Sequence, residues 1–141
     1  MNVELSAIRV SSSCKAPTSF WQKNRNIFPD TTFSREKLEK IAVKINTVPK
    51  DFDANPKLLR QLAKRAETVQ KNEKKIDWGF AEALAFGSLL TAGRTVRVTG
   101  QDVERGTFSH RHAVLHGTIT DQTFTPLNHL IEGQGSTRYH V

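Results

Sequence analysis

The sequence predicts an α/β fold that is incomplete and is preceded by a helical linker, on three observations. Two short, basic, amphipathic helical patterns occupy residues 34–75; a third pattern, Trp78 to about Leu90, is apolar on most of its sides; and a glycine turn then leads into the β-branched run Thr95–Thr99. A helix greasy nearly all round expects to be buried, and helix, tight turn, strand and then glycine at the strand's carboxyl end is the arrangement that places ligands at strand ends. One helix and one strand do not build a sheet, hence the expectation of incompleteness.

Each element has its own local reason. Residues 1–33 carry no period: Ser11, Ser12, Ser13 and Pro17 make an irregular lead-in, followed by the aromatic patch Phe20, Trp21, Phe28 and Phe33, read as a strap or a docking element. Ser34 is placed to cap a helix running to about Asn46, in which Leu38, Ile41, Ala42 and Ile45 fall at i, i+3, i+4 and i+7. Pro49 ends it. Asn55-Pro56 repeats the start signal, because proline suits the first helical position, where its missing N–H is no loss. Leu58 or Leu59, Leu62, Ala66 and Val69 form the second stripe, and Lys71–Lys75 is a charged hinge. Asp77 caps the third helix and Gly93 stops it. Residues 101–116 read as loop, Thr118–Thr125 as strand or extended loop broken by Pro126, and Gly133–Arg138 as a polar turn. The domains are therefore 1–33, a lead-in; 34–75, a basic helical linker; and 76–141, an α/β portion.

Charge follows the same division. Residues 1–75 hold 16 basic and 8 acidic side chains, net +8, and residues 76–141 hold 5 and 6, net −1. The basic helices lack interleaved surface aromatics and recognition-helix spacing, so a solvated face is expected and nucleic acid is not. A lone Cys14 excludes an internal disulfide and a Cys-rich zinc site. No run approaches the roughly 20 apolar residues of a membrane span, and Glu4 and Arg9 interrupt any secretory pattern, so no membrane partner is expected.

Chemistry-bearing residues concentrate in the second half. Of five histidines, three cluster as His110, His112 and His116; Asp102 and Asp121 are the only nearby candidates to complete a metal site, and polar loop or phosphate-site histidines are the preferred reading. Gln101, Asp102, Arg105 and Arg111, with amides around Gly100 and Gly106, suit an anionic ligand, or else Asp102 pairs with an arginine and turns the chain. Gly133-Gln134-Gly135 is too short for a dinucleotide fingerprint, and neither a phosphate-binding lysine loop nor a nucleophile elbow occurs.

The run Ile76–Leu90 (IDWGFAEALAFGSLL) and the run Gly100–His116 (GQDVERGTFSHRHAVLH) together resemble the thiamine-diphosphate-dependent, decarboxylating first component of 2-oxoglutarate dehydrogenase. Phe124–His129 and Gly133-Gln134-Gly135 continue the resemblance in order; Ser19-Phe20-Trp21, Thr47-Val48-Pro49 and Asn55-Pro56-Lys57 resemble the linker before its pyrimidine-binding, transketolase-like domain. The resemblance implies oxidative decarboxylation of 2-oxoglutarate in the citric acid cycle, with succinyl transfer to a lipoyl group. It implies thiamine diphosphate as cofactor, with magnesium held by segments absent here. It also implies a homodimer or the remainder of the same enzyme as partner, a lipoyl-bearing succinyltransferase component, and the cytoplasm or a mitochondrial matrix as location. Carried over, Gln101, Asp102, Arg105, His110 and His112 are the cofactor-side residues, with Gln101 and His110 or His112 nearest the active site. Trp78, Glu82 and Phe86 are packing residues, and no residue is assigned a catalytic role. Alone, the chain is expected to be inactive, as a gene fragment or part of a split enzyme; the alternative is a non-enzymatic interaction module or a gene remnant, and 2-oxoadipate is an alternative substrate.

Overall fold

A computed structural model describes residues 30–71, 76–131 and 134–141. Cys14, the serine run, Phe20, Trp21 and Phe28, the hinge residues 72–75 and Gly133 lie outside the described residues. Three helices form where the patterns place them: α1 (Arg35–Ile45), α2 (Pro56–Gln70) and α3 (Trp78–Thr91).

In α1 the whole expected stripe, Leu38, Ile41, Ala42 and Ile45, is buried. Ser34 takes the N-cap position, but its hydroxyl makes no capping bond; only its carbonyl engages, accepting the Leu38 N–H at 3.0 Å. The Asn46 side chain closes the other end on the Ala42 carbonyl at 2.7 Å. Asn55 caps α2 through its side chain, accepting the Lys57 N–H at 2.9 Å. Of the two leucines left open, Leu58 is half-buried and Leu59 exposed. Asp77 caps α3, accepting the Phe80 N–H at 2.7 Å.

The helix α3 is the centre of the core: Phe80, Ala81, Leu84 and Leu90 are buried against the α1 stripe, Leu127 and Leu130. Two glycines allow that approach. A side chain at Gly87 would collide with Ile41, and one at Gly79 with the His110 carbonyl. The first turn of α3 is covered by the His110 backbone over Gly79 and by the Arg65 guanidinium, 5.8 Å from the Phe80 ring centre. That leaves Trp78 on the open side, 63% exposed rather than packed as expected.

The β-structure is small but does pair. β1 (Val96–Arg97), shorter than the predicted strand, runs parallel to β4 (Tyr139–His140), with Val96 opposite Tyr139. The sequence predicts a polar turn up to Arg138 and does not predict this sheet, because a two-residue strand has too short a pattern to register and its parallel partner lies about forty residues away. β2 (Leu115–His116) pairs antiparallel with β3 (Thr123–Phe124). Pro126 then opens a 3-10 helix, Pro126–His129, rather than a plain break.

Candidate functional site

The segment that follows β1 is folded by unusual backbone rather than by regular structure. All the non-glycine residues with positive φ among the described residues lie in it: Asp102 at 53°, Ser109 at 53° and His112 at 48°. Left-handed backbone is strained for side-chain-bearing residues and persists where its surroundings hold it. Here the Asp102 carbonyl accepts the Gly106 N–H at 2.6 Å. The chain then doubles back, so that the Arg111 and His112 N–H groups donate to the Arg105 carbonyl at 3.0 and 3.1 Å and Ala113 donates to the Glu104 carbonyl at 2.7 Å. Gly106, at φ 80°, lies under the His110 ring, where a β-carbon would meet the imidazole at 2.6 Å.

Two guanidiniums, Arg65 buried and Arg111 half-buried, fasten this loop to the helices. Arg111 donates from Nε and Nη2 to both oxygens of Glu82 on α3, and from Nη1 to the Val103 carbonyl at 3.0 Å. Its proton is bound more tightly than usual, first because of that bond to Glu82. Arg65 reaches from α2 to both oxygens of Asp77, at 3.2 and 3.3 Å, and to the His110 carbonyl at 2.9 Å. Such forked, charge-assisted bonds fix orientation as well as position.

The imidazole of His112 is half-buried, and burial, then the nearby Arg65 charge, lowers its pKa. Bonding to the Ser109 backbone opposes this, while Arg105 and His110 add to the lowering. His110 Nδ1 is buried without a hydrogen-bond partner, as is the Tyr139 hydroxyl. A cavity of about 20 Å³, enough for one water, lies among Arg65, Phe80, Phe86, Arg111 and His112. His116 stands apart, paired with Glu104 at 2.6 Å on the surface. Among the described residues no three His, Cys, Asp or Glu side chains converge on a possible metal position.

Of the five residues singled out from the sequence, Arg105, His110 and His112 share this loop's folded part, and Asp102 meets Arg105 at 3.8 Å in an exposed pair. Gln101 is exposed at the start of the turn. Arg111 is taken up by Glu82 rather than left for an anion, and Glu82 serves as that ion-pair partner more than as packing. Phe86 does pack, its ring centre 5.5 Å from that of Tyr139. Arg65 was missed, though its spacing held a signal. It lies three residues after Leu62 and four before Val69, on the buried stripe of α2, and is 8% exposed.

Residues 74–132 match the family described as Transketolase, pyrimidine binding domain. The 2-oxoglutarate dehydrogenase E1 component of Rickettsia typhi is 47% identical over 104 residues, which cover 74% of this chain and 11% of that protein. The mitochondrial 2-oxoglutarate dehydrogenase of Caenorhabditis elegans is 48% identical over 108 residues, 76% of this chain and 10% of its own length. The E1 component of Staphylococcus epidermidis is 46% identical over 108 residues, 77% of this chain and 12% of its own. Near-half identity over three quarters of the chain, with the domain match falling on α3 and the loop after β1, places the chain in the 2-oxoglutarate dehydrogenase E1 family, as a stretch about a ninth of its relatives' length that carries part of a transketolase-type pyrimidine-binding domain.

Proposed function

We propose that this stretch forms one wall of a thiamine diphosphate site in a decarboxylating 2-oxoglutarate dehydrogenase component, with Gln101, Asp102, Arg105, His110 and His112 on the cofactor side. The supporting observation is the folded loop itself. Its backbone turns left-handed at Ser109 and His112 and leaves His110 Nδ1 buried with no partner, a hydrogen-bonding edge without a counterpart in the chain.

The exposed Gln101 amide and the half-buried His112 imidazole suit the neutral aminopyrimidine end of the cofactor. The loop does not fit the diphosphate with magnesium: the two best-held guanidiniums, Arg65 and Arg111, are occupied by carboxylates, and no metal cluster forms among the described residues. Diphosphate and magnesium accordingly belong to other parts of the longer enzymes. The bound cofactor supplies the carbon nucleophile for decarboxylating a 2-oxo acid. This chain's share is to hold His110 and His112 in place, keep His112 neutral near pH 7 by burial and the Arg65 charge, and present Gln101 and the exposed Asp102–Arg105 pair at the rim. The stretch is inactive by itself. It works with a second copy or the remainder of the enzyme and with a lipoyl-bearing succinyltransferase component, in the bacterial cytoplasm or the mitochondrial matrix. Among the described residues no helix is long and apolar enough to cross a membrane.

A chimera tests this. Residues 30–141 replace the matching segment of the Rickettsia typhi E1 component, and decarboxylation of 2-oxoglutarate is measured with thiamine diphosphate and magnesium. An active chimera that loses activity with His110→Ala or His112→Ala supports the assignment. A folded but inactive chimera overturns it, and turnover by the 141-residue chain alone overturns the claim of inactivity.

A further inference from the structure

We infer that Arg65, which lies in the linker helix outside the matched domain, is a positioning residue that sets the Ser109–His112 arc by tying the His110 carbonyl to the Asp77 cap of α3. Three observations meet here. Arg65 is 8% exposed although its helix is otherwise lined with solvated basic residues, so a guanidinium has been withdrawn from water at this one place. Its donors are used in a fork, Nε and Nη2 on Asp77 and Nη2 on the His110 carbonyl. And the carbonyl it grips sits between the two left-handed residues, Ser109 and His112, directly over Gly79.

Physically, left-handed turns persist only where they are held: in this arc the Ser109 N–H donates to the Gly106 carbonyl at 2.8 Å, and the Arg111 and His112 N–H groups share one acceptor, the Arg105 carbonyl. From outside, Glu82 holds the Arg111 side chain, and Arg65 holds the arc's backbone at the His110 carbonyl. Asp77 orients the guanidinium while capping α3 with the same Oδ1. The fork therefore aligns three pieces at once, namely α2, the first turn of α3 and the histidine loop. A lysine has one ammonium and no planar fork, so it cannot hold carboxylate and carbonyl in this geometry. The linker helix thus becomes part of the loop's construction rather than a spacer. Its meaning for cofactor binding rests on the function proposed above, but the hold itself is a property of the chain alone.

The test uses the 141-residue chain with Arg65→Lys and Arg65→Met, reading amide hydrogen exchange and the imidazole NMR titration of His112. The charged and titratable groups around His112 are Arg65, Arg105 and His110, with Arg111 lining the same small cavity and the Ser109 backbone bonded to the ring. In both variants the Arg111 and His112 amides are expected to exchange at least tenfold faster while amides inside α3, such as Leu84, keep their rates. The His112 pKa is expected to move up toward the ordinary imidazole value, even in the lysine variant, which keeps the charge but lets water reach the ring. A purely stabilising role would lower the melting temperature and leave that titration where it was. Equal acceleration of loop and α3 amides, an unchanged loop in Arg65→Lys, or failure of both variants to fold would each overturn the inference. None of these readouts involves thiamine diphosphate, so they succeed or fail separately from the chimera.

Discussion

Arg111 and Glu82 are joined by two parallel bonds, Nε to Oε1 at 2.5 Å and Nη2 to Oε2 at 3.1 Å, across 29 residues of sequence. This pair ties the loop that follows β1 to the middle of α3, and its third bond, to the Val103 carbonyl, draws the start of the loop into the same knot. Glu82→Gln leaves a largely buried guanidinium facing a neutral amide. The expected loss is about 2 kcal/mol, read as a lower urea midpoint. Because the uncompensated charge is the problem, Glu82→Gln with Arg111→Met together should lose less than the sum of the two single changes.

Gly79→Ala should destabilise, against the usual helical preference. Alanine is better than glycine by about 1 kcal/mol in a helix interior, and by less at the second position of α3, where Gly79 lies. Here its methyl group runs into the His110 carbonyl, a backbone atom that cannot swing aside. The expected net loss is roughly 1–3 kcal/mol. Chemical denaturation measures it, and a gain in stability would show that the contact yields.

Tyr139 is the chain's one tyrosine, so its phenolate absorbance titrates without ambiguity. Burial pushes its pKa up to about 12, with Glu82 adding to this and Arg111 opposing it. The folded form therefore keeps a proton that the unfolded chain gives up near pH 10. This contribution to stability is complete below pH 10 and is lost as pH rises toward about 12. Since the hydroxyl is buried without a partner, Tyr139→Phe should be neutral or stabilising in thermal melts at pH 7. It should also flatten the alkaline decline.

Asp53 gathers the 117–120 turn. Its carboxylate accepts the Ile119 and Thr120 N–H groups and both threonine hydroxyls, from Thr118 and Thr120. The Ile119 N–H bond, then the Thr120 hydroxyl, brings its pKa down to about 2. The sign is the usual one for a bonded carboxylate: the contribution is present above the ordinary 3.8 and lost as pH falls toward about 2. An NMR acid titration should show the Ile119 and Thr120 amide signals shifting with a midpoint near 2. In Asp53→Ala those signals should lose their dispersion at neutral pH while the core of α3 is unchanged.

Much of the architecture is legible in the sequence. The stripe Leu38, Ile41, Ala42 and Ile45, the Asn55-Pro56 start and the Asp77 cap are local signals, each contained within one or two turns of chain, and each sits where it was read. The family was legible too, since two long runs of specific residues carry it. The strand β4 was not, because two residues show no period and the bonds that define it come from β1. Nor were the partners of Arg65 and Arg111. A charge on a basic helix looks solvated until the fold shows a carboxylate and a carbonyl waiting 12 and 45 residues away.

By itself, then, the amino-acid order determined the helices, their buried faces and the kinship, because these depend on neighbours three or four positions apart and on residue identity. Tertiary structure alone decided which charges leave the solvent, which glycines are indispensable, and how the loop bearing His110 and His112 is held. Those outcomes depend on atoms distant in sequence meeting at a few ångströms, where one forked bond or one missing β-carbon settles the geometry.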